Sequence, residues 1–216
     1  MAQVINWHFI LGDRSYGTSF TAPSPLEHYW SLAVEEQFYL VFPLLVVGAL
    51  FIFKGRRHLV AGLLVAATAA SAWWCGHLAA GSVDRSYFGT DTRLAELTIG
   101  ALLALAMVRS VRARRRSWHW PRIVLGIGGL AGSLWLWHEA TVGSRWMYPW
   151  GLLATATASC CLIAGALEGG LLGRGLSLAP VVWLGRISYG VYLIHWPVFL
   201  LLTPQRIGWG PWPKSG

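Results

Sequence analysis

The chain has 216 residues, of which 55% are hydrophobic and only 12% are charged, and its mean hydropathy is +0.50. A soluble domain of ordinary composition carries about 25% charged residues. The composition therefore excludes that class and indicates an integral membrane protein. The formal net charge of +8 does not predict a nucleic-acid partner, because the basic residues of a membrane protein gather in its cytosolic loops.

The first predicted span covers residues 30–53, and a helix-start signal precedes it. Ser24 suits the N-cap, Pro25 suits the first helical position, and Glu27 falls at the acidic position of a capping box. We therefore expect the helix to begin at Pro25.

This span carries a polar stripe within an apolar sequence. On a helical wheel, His28, Glu35 and Tyr39 fall within about 40° of one another, and Ser31 lies about 60° from His28. Glu36 adds a second carboxylate beside Glu35. Ionisable groups inside a span are costly and mark functional sites by default. An interfacial carboxylate paired with a neighbouring helix is the structural alternative.

Five further apolar stretches have about the length that a helix needs to cross a bilayer. They cover residues 59–80, 93–108, 123–137, 146–167 and 187–202, with a polar loop at 81–92 and a Gly-rich connector at 168–180. The predicted fold class is therefore all-α: one polytopic transmembrane helical bundle of about six spans, with residues 1–216 as a single domain.

The distribution of Lys and Arg predicts the topology. Alternate predicted loops hold 11 and 6 of the 17 basic residues. The positive-inside rule places the richer set in the cytosol. His28 and both termini are then predicted to be extracytoplasmic.

Arg93 and Glu96, at the outer end of the third span, form the next candidate. They lie one helical turn apart, so an ion pair within the helix is the simpler interpretation. The functional interpretation is that one of them meets Glu35 and Glu36 across the bundle. Gly100, one turn below, is expected to permit a close helix approach.

The sixth span carries Ser188, Tyr192 and His195 within about 60° on one face. His195 is predicted to lie inside the membrane, where a histidine more often bonds a neighbour than performs catalysis. Pro197 cannot donate to the carbonyl of Leu193, and it leaves that oxygen for an adjacent histidine or a water.

The three cysteines, Cys75, Cys160 and Cys161, lie in apolar runs and lack metal-ligand spacing. We predict no disulfide and no metal site, and we expect these residues to pack as small apolar side chains.

Three segments together resemble one family of enzymes. They are His28-Tyr-Trp-Ser-Leu-Ala-Val-Glu-Glu-Gln-Phe-Tyr-Leu-Val-Phe-Pro43, Thr92-Arg-Leu-Ala-Glu-Leu-Thr-Ile-Gly100 and Leu184-Gly-Arg-Ile-Ser-Tyr-Gly-Val-Tyr-Leu-Ile-His-Trp-Pro-Val198. In this order they resemble the motifs of the membrane acyltransferase-3 family, which includes bacterial O-acetylases of lipopolysaccharide and peptidoglycan. Members of that family begin with further helices that carry an Arg and a catalytic His, and this chain resembles the part that follows them.

The resemblance implies a multi-pass enzyme of the bacterial inner membrane. It would transfer an acyl group, most often acetyl, from cytosolic acyl-CoA to a hydroxyl of an extracytoplasmic glycan or lipid. The resemblance implies no bound cofactor, with acetyl-CoA or another acyl-CoA as donor substrate. Besides the bilayer, the N-terminal helices of a longer protein are the expected partner. Two alternatives stay open: a non-catalytic fragment of such an enzyme, and a proton-coupled transporter-like protein, because intramembrane Glu and His also suit carriers.

The predicted site has two sets of residues. The catalytic candidates are His28, Glu35, Glu36 and His195. The substrate-binding candidates are Ser31, Tyr39, Arg93, Glu96, Ser188, Tyr189 and Tyr192. His28 and Glu35 are expected to orient the acceptor hydroxyl or take its proton, and Arg93 to hold an acceptor carboxylate or phosphate. Ser188, Tyr189 and His195 are expected to line the donor route from the cytosolic side.

Overall fold

The computed structural model describes residues 4–12, 28–113, 119–140, 144–167 and 170–202. Within these ranges all the longer elements are α-helices. They are α1 (Ile5–Leu11), α2 (Tyr29–Ile52), α3 (Arg57–Ala79), α4 (Val83–Phe88), α5 (Thr90–Ala113), α6 (His119–Glu139), α7 (Trp150–Ala166), α8 (Leu171–Leu176) and α9 (Ala179–Leu201). The all-α prediction is confirmed for this part of the chain.

Each predicted span corresponds to one long helix, with shifted ends. α2 begins at Tyr29 with His28 as its N-cap, and the predicted start signal at 24–27 lies outside the described residues. α7 begins at Trp150, because Arg145–Met147 form a 3-10 turn before it. α9 begins at Ala179, well before residue 187, because Pro180 sits in its first turn, where proline is favourable.

Three short helices were not predicted. α1 lies in the N-terminal stretch, α4 in the predicted polar loop, and α8 in the Gly-rich connector. Ser82 caps α4 by accepting a hydrogen bond from the Arg85 backbone N–H at 3.2 Å. α1 and α4 pack on the start of α2, where one buried apolar cluster holds Phe9, Trp30, Val34 and Phe88. This cluster fixes the end of α2 that carries the polar residues.

The long helices pack mainly in two pairs, α3 with α5 and α6 with α7, and α7 also contacts α5. Between α3 and α5, the Ser71 hydroxyl donates to the Asp91 carbonyl at 2.5 Å and accepts from the Ala95 backbone N–H at 3.0 Å. A Cβ on Gly100 would have no atom within 4 Å. The predicted close helix approach at Gly100 is therefore not found among the described residues, whereas α3 and α5 meet through small hydroxyl side chains elsewhere.

Two helices, α2 and α3, are both long and apolar enough to cross a membrane, in the part of the chain that the structure describes. α7 is apolar but has 17 residues. Only 6% of the apolar window of α2 is buried, whereas the core helix of a soluble protein would be mostly covered. The surface of α2 therefore suits a lipid environment, but six spans are not confirmed.

Candidate functional site

A proline in α9 creates the first contact of the site. Pro197 lies inside α9 and has no N–H to donate to the carbonyl of Leu193. The His28 imidazole occupies that place, with Nε2 at 3.2 Å from the Leu193 oxygen. Of the two partners that the sequence left open for this carbonyl, a histidine or a water, the structure shows a histidine, and it comes from the start of α2.

A tyrosine strengthens the same junction. The Tyr192 hydroxyl donates to the His28 carbonyl oxygen at 2.8 Å. Because this bond uses its one proton, the Ser31 hydroxyl, which lies within hydrogen-bond distance, donates to Tyr192. These bonds join α9 to α2 at one level. Ser31 and Tyr192 are both among the predicted site residues.

The hydrogen bonds define the tautomers of two histidines. A carbonyl only accepts, so neutral His28 carries its proton on Nε2, which faces Leu193. By the same argument His195 carries its proton on Nδ1, which lies 2.6 Å from the Tyr192 carbonyl. The lone pairs are then on Nδ1 of His28 and Nε2 of His195.

His28 and His195 are close enough to influence each other. Their ring centres lie 5.2 Å apart in an edge-to-face arrangement. Nδ1 of His28 is buried and has no hydrogen-bond partner among the described residues. Burial, opposed by the bond to Leu193 and assisted by the nearby His195, lowers the pKa of His28 below its ordinary value. The neutral imidazole is therefore the favoured form.

A small cavity lies beside this junction, between α2 and α5. It has a volume of about 170 Å³ and is lined by Trp30, Ser31, Val34, Glu35, Arg93, Glu96 and Leu97. Arg93 Nη1 donates to Glu96 Oε1 at 2.8 Å, which confirms the predicted ion pair within the helix. The exposed residue Glu35 lines the same cavity from α2.

Arg93 is held rigidly in the cavity wall. Its Nε donates to the Tyr87 carbonyl at 3.0 Å. Its guanidinium carbon lies 4.8 Å from the centre of the Tyr87 ring and 5.5 Å from that of Trp30, in cation–π geometry. With Glu96 as counter-ion, Arg93 contributes no excess positive charge, and two carboxylates against one guanidinium give the cavity a net negative charge.

Four predicted site residues lie away from these contacts. Glu36 is exposed and does not line the cavity, and the Tyr39 side chain is 66% exposed. Tyr189 is 60% exposed, and the Ser188 hydroxyl bonds the Gly185 carbonyl of its own helix. The structure brings none of these four to the His28 junction.

The structure also shows a polar ring that the sequence did not reveal. Asn6 Nδ2 donates to Thr90 Oγ1 at 2.9 Å, Thr90 Oγ1 donates to Gln37 Oε1 at 2.6 Å, and Gln37 Nε2 donates to Asn6 Oδ1 at 3.0 Å. Asn6 is fully buried and also donates to the Phe88 carbonyl at 3.1 Å. The ring joins α1, α2 and α5 next to the cavity. A lone Asn in the apolar run Ile5–Leu11 was the signal available in the sequence.

A second polar contact holds the start of α5. Arg85 of α4 forms a two-point ion pair with Asp91, with nitrogen–oxygen distances of 2.9 and 2.7 Å, and Trp74 Nε1 donates to the same carboxylate at 2.8 Å.

In the part of the chain that the structure describes, no group of three or more His, Cys, Asp or Glu residues has the arrangement of a metal site.

The described part of the chain thus combines two membrane-length apolar helices with a carboxylate-lined cavity beside a histidine pair. The acyltransferase domain family (Acyl_transf_3) matches residues 2–214. The chain belongs to this family, and the resemblance found in its motifs is confirmed.

The curated relatives are O-acetyltransferases. "Putative peptidoglycan O-acetyltransferase YrhL" of Bacillus subtilis is 36% identical over 94% of this chain and 33% of its own length. O-acetyltransferase OatA of Staphylococcus aureus is 34% identical over 94% of this chain and 34% of its own. Peptidoglycan O-acetyltransferase OatA of Listeria monocytogenes is 36% identical over 93% and 33%. The chain thus spans about a third of the length of these relatives. No solved structure matches it.

Proposed function

We propose that this chain forms part of a membrane O-acetyltransferase that esterifies a hydroxyl of a cell-envelope glycan, with peptidoglycan as the acceptor. The family and the printed names of the relatives support the reaction class and the acceptor. The observation that carries the proposal is the cavity in which Glu35 faces the Arg93–Glu96 pair, one turn of α2 from Ser31 and the His28 junction.

The donor in this proposal is acetyl-CoA. The acceptor oxygen forms an ester bond with the acetyl carbon, the thioester C–S bond breaks, and the hydroxyl proton is transferred through a protein base to the coenzyme sulfur. No bound cofactor is required, because both the acyl group and the leaving group come from the donor.

Glu35 is the group that we assign to the acceptor hydroxyl. It has no hydrogen-bond or ion-pair partner among the described residues, whereas Glu96 is paired, so its carboxylate can accept a hydrogen bond from a sugar hydroxyl. The net negative charge favours a neutral hydroxyl over an anion. Arg93, already held by Glu96 and Tyr87, is therefore assigned to positioning Glu96 and the cavity wall rather than to binding an acceptor anion.

His28 and His195 are the groups that we assign to proton transfer. Nδ1 of His28 is an unpartnered nitrogen within the described chain, and the tautomers leave a lone pair on each ring. Burial keeps His28 neutral, which is the form that a general base needs. Tyr192 and Ser31 hold the two rings at this separation.

The proposed environment is the bacterial inner membrane, crossed by six helices with both ends outside. The contact of His28 with Leu193 places the start of α2 and the later part of α9 at one level. The cavity adds the start of α5 to that level. In the predicted topology these three helix ends are all extracytoplasmic, so the packing supports the six-span arrangement.

A labelling experiment tests the function. Membranes from cells that express the chain receive ¹³C-acetyl-CoA, and ester-linked label on peptidoglycan is released by mild base and measured. We expect label above that of membranes without the chain. The chain would be a non-catalytic part if it gave no label while a longer form with further N-terminal helices transferred the acetyl group. Absence of label in both would contradict the acyltransferase proposal and favour a transporter.

A further inference from the structure

An apolar groove lies further along α2 than the polar ring, between α2, α3 and α5. It has a volume of about 450 Å³, and its lining includes Phe42, Gly48, Phe53, Leu64, Leu94 and Thr98. Thr98 is the one hydroxyl in the lining, and it is bonded to Thr68 at 2.8 Å and to the Leu94 carbonyl at 2.9 Å. The groove therefore offers a hydrocarbon surface with no free polar group.

The groove ends at a strongly basic turn. Ile52 and Phe53 line it, and the next residues, Lys54 to Arg57, connect α2 to α3. Lys54 and Gly55 have φ angles of 51° and 73°, and these left-handed conformations reverse the chain within a few residues. Lys54, Arg56 and Arg57 are all exposed. None of them forms an ion pair with the residues that the structure describes.

We propose that this groove and turn bind an anionic phospholipid, with one acyl chain in the groove and the phosphate held by Lys54, Arg56 and Arg57. An apolar slot beside membrane-length helices fits an acyl chain. Three unneutralised cations at its end fit a phosphate, because basic residues at a membrane surface attract anionic headgroups. A protein helix would fill the slot but would leave the three charges without partners, so the charge pattern favours the lipid.

The proposal rests on the membrane location and not on acyl transfer. The detergent-solubilised chain is mixed with phosphatidylglycerol or with phosphatidylcholine of the same acyl chains, and bound lipid is counted by native mass spectrometry. We expect a preference for phosphatidylglycerol of about tenfold or more, since three basic residues near the membrane surface together attract the anionic headgroup. The triple variant Lys54→Gln, Arg56→Gln, Arg57→Gln should lose this preference. The double variant Arg174→Gln, Arg186→Gln should keep it.

A second pair of variants tests the groove itself. Gly48 lines it, and a Cβ there would have no atom within 4 Å, so Gly48→Leu fills the space without disturbing the backbone. Gly62 in α3 is equally open and lies outside the lining, so Gly62→Leu is the matched control. Gly48→Leu should reduce phosphatidylglycerol binding several-fold, and Gly62→Leu should not. Equal binding of the two lipids would overturn the proposal. Phosphatidylglycerol binding that Gly48→Leu leaves unchanged would also overturn it, because the lipid would then be held only by a general charge attraction and not by the groove.

Discussion

His28 donates from Nε2 to the Leu193 carbonyl, 3.2 Å away, and so replaces the backbone bond that Pro197 removes from α9. The backbone hydrogen bond that α9 lacks at Pro197 is thus replaced by a contact between two residues that lie 165 positions apart in the sequence. The bond sets the tautomer of His28 and places its ring against His195. Together with the Tyr192 bonds to His28 and Ser31, it brings the first and last of the three family motifs together.

The Tyr192 hydroxyl should be needed to hold α9 on α2. Tyr192→Phe removes the donor to the His28 carbonyl and the acceptor for Ser31, so we expect the free energy of unfolding to fall by about 1–2 kcal/mol. Thermal unfolding in detergent measures the change. Tyr189→Phe is the control, because its side chain is largely exposed, and an equal loss in both variants would contradict the assignment.

Stability should depend on the protonation of His28. Its pKa is lowered from 6.5 in the folded chain, so the folded state binds this proton less readily than the unfolded state. The stabilisation is present above the ordinary pKa and is lost as the pH falls through about 6.5 toward the lowered value. The wild-type melting temperature should therefore decrease between about pH 7.5 and about pH 5.5.

Substitution isolates this effect. His28→Gln keeps an N–H donor for Leu193 but does not titrate, so its melting temperature should decrease less over the same pH range. His58→Gln, at an exposed position at the start of α3, should behave as the wild type. If His28→Gln retained the full pH dependence, another group would be responsible.

The polar ring should stabilise the junction of α1, α2 and α5. Gln37→Ala leaves Asn6 Oδ1 without its donor and the Thr90 hydroxyl without its acceptor. Unpaired buried polar groups cost about 1–3 kcal/mol, and we expect a loss of that size in chemical or thermal unfolding. Leu40→Ala, on the exposed surface of α2, should change stability much less. A Gln37→Ala effect as small as that of Leu40→Ala would mean that the ring does not contribute.

Two neighbouring glycines in α6 should respond with opposite signs. A Cβ at Gly129 would lie 2.5 Å from the Ala158 carbonyl oxygen and 2.6 Å from the Leu162 nitrogen of α7. Gly129→Ala should therefore destabilise by about 1–3 kcal/mol through overpacking. A Cβ at Gly128 would meet nothing within 4 Å, so Gly128→Ala should stabilise the helix by about 0.5–1 kcal/mol. Melting temperatures that move in the same direction would contradict the α6–α7 packing.

The sequence predicted the long helices well, because the length of an apolar run and the proline or charged residues at its ends are local signals. It also predicted that Pro197 would expose the Leu193 carbonyl, since that follows from covalent structure alone. The partner of that carbonyl could only be narrowed to a histidine or a water, and His28 could not be named, because the meeting of α2 with α9 depends on tertiary packing.

The short helices and the polar ring were missed for the same reason. α4 has only six residues, too few to show a helical period, and it is positioned by contacts with α3, α1 and α5. Asn6 meets Gln37 and Thr90, which are 31 and 84 positions away. The expectation at Gly100 failed for a different reason. A glycine in a membrane helix suggested a close approach of another helix, but a Cβ at Gly100 would meet no atom within 4 Å.

The central claim is that Glu35 receives the acceptor hydroxyl, and the transfer rate of Glu35→Gln tests it most directly. Glu139→Gln, at an exposed position at the end of α6, is the matched carboxylate control, and melting temperatures verify that both variants fold. With ¹³C-acetyl-CoA and peptidoglycan in membranes that are active with the wild-type protein, we predict a loss of about tenfold or more for Glu35→Gln, because a neutral amide holds the acceptor hydroxyl less strongly than a charged carboxylate does. Glu139→Gln should remain at the wild-type rate. A folded Glu35→Gln protein that acetylates as fast as Glu139→Gln would contradict the account.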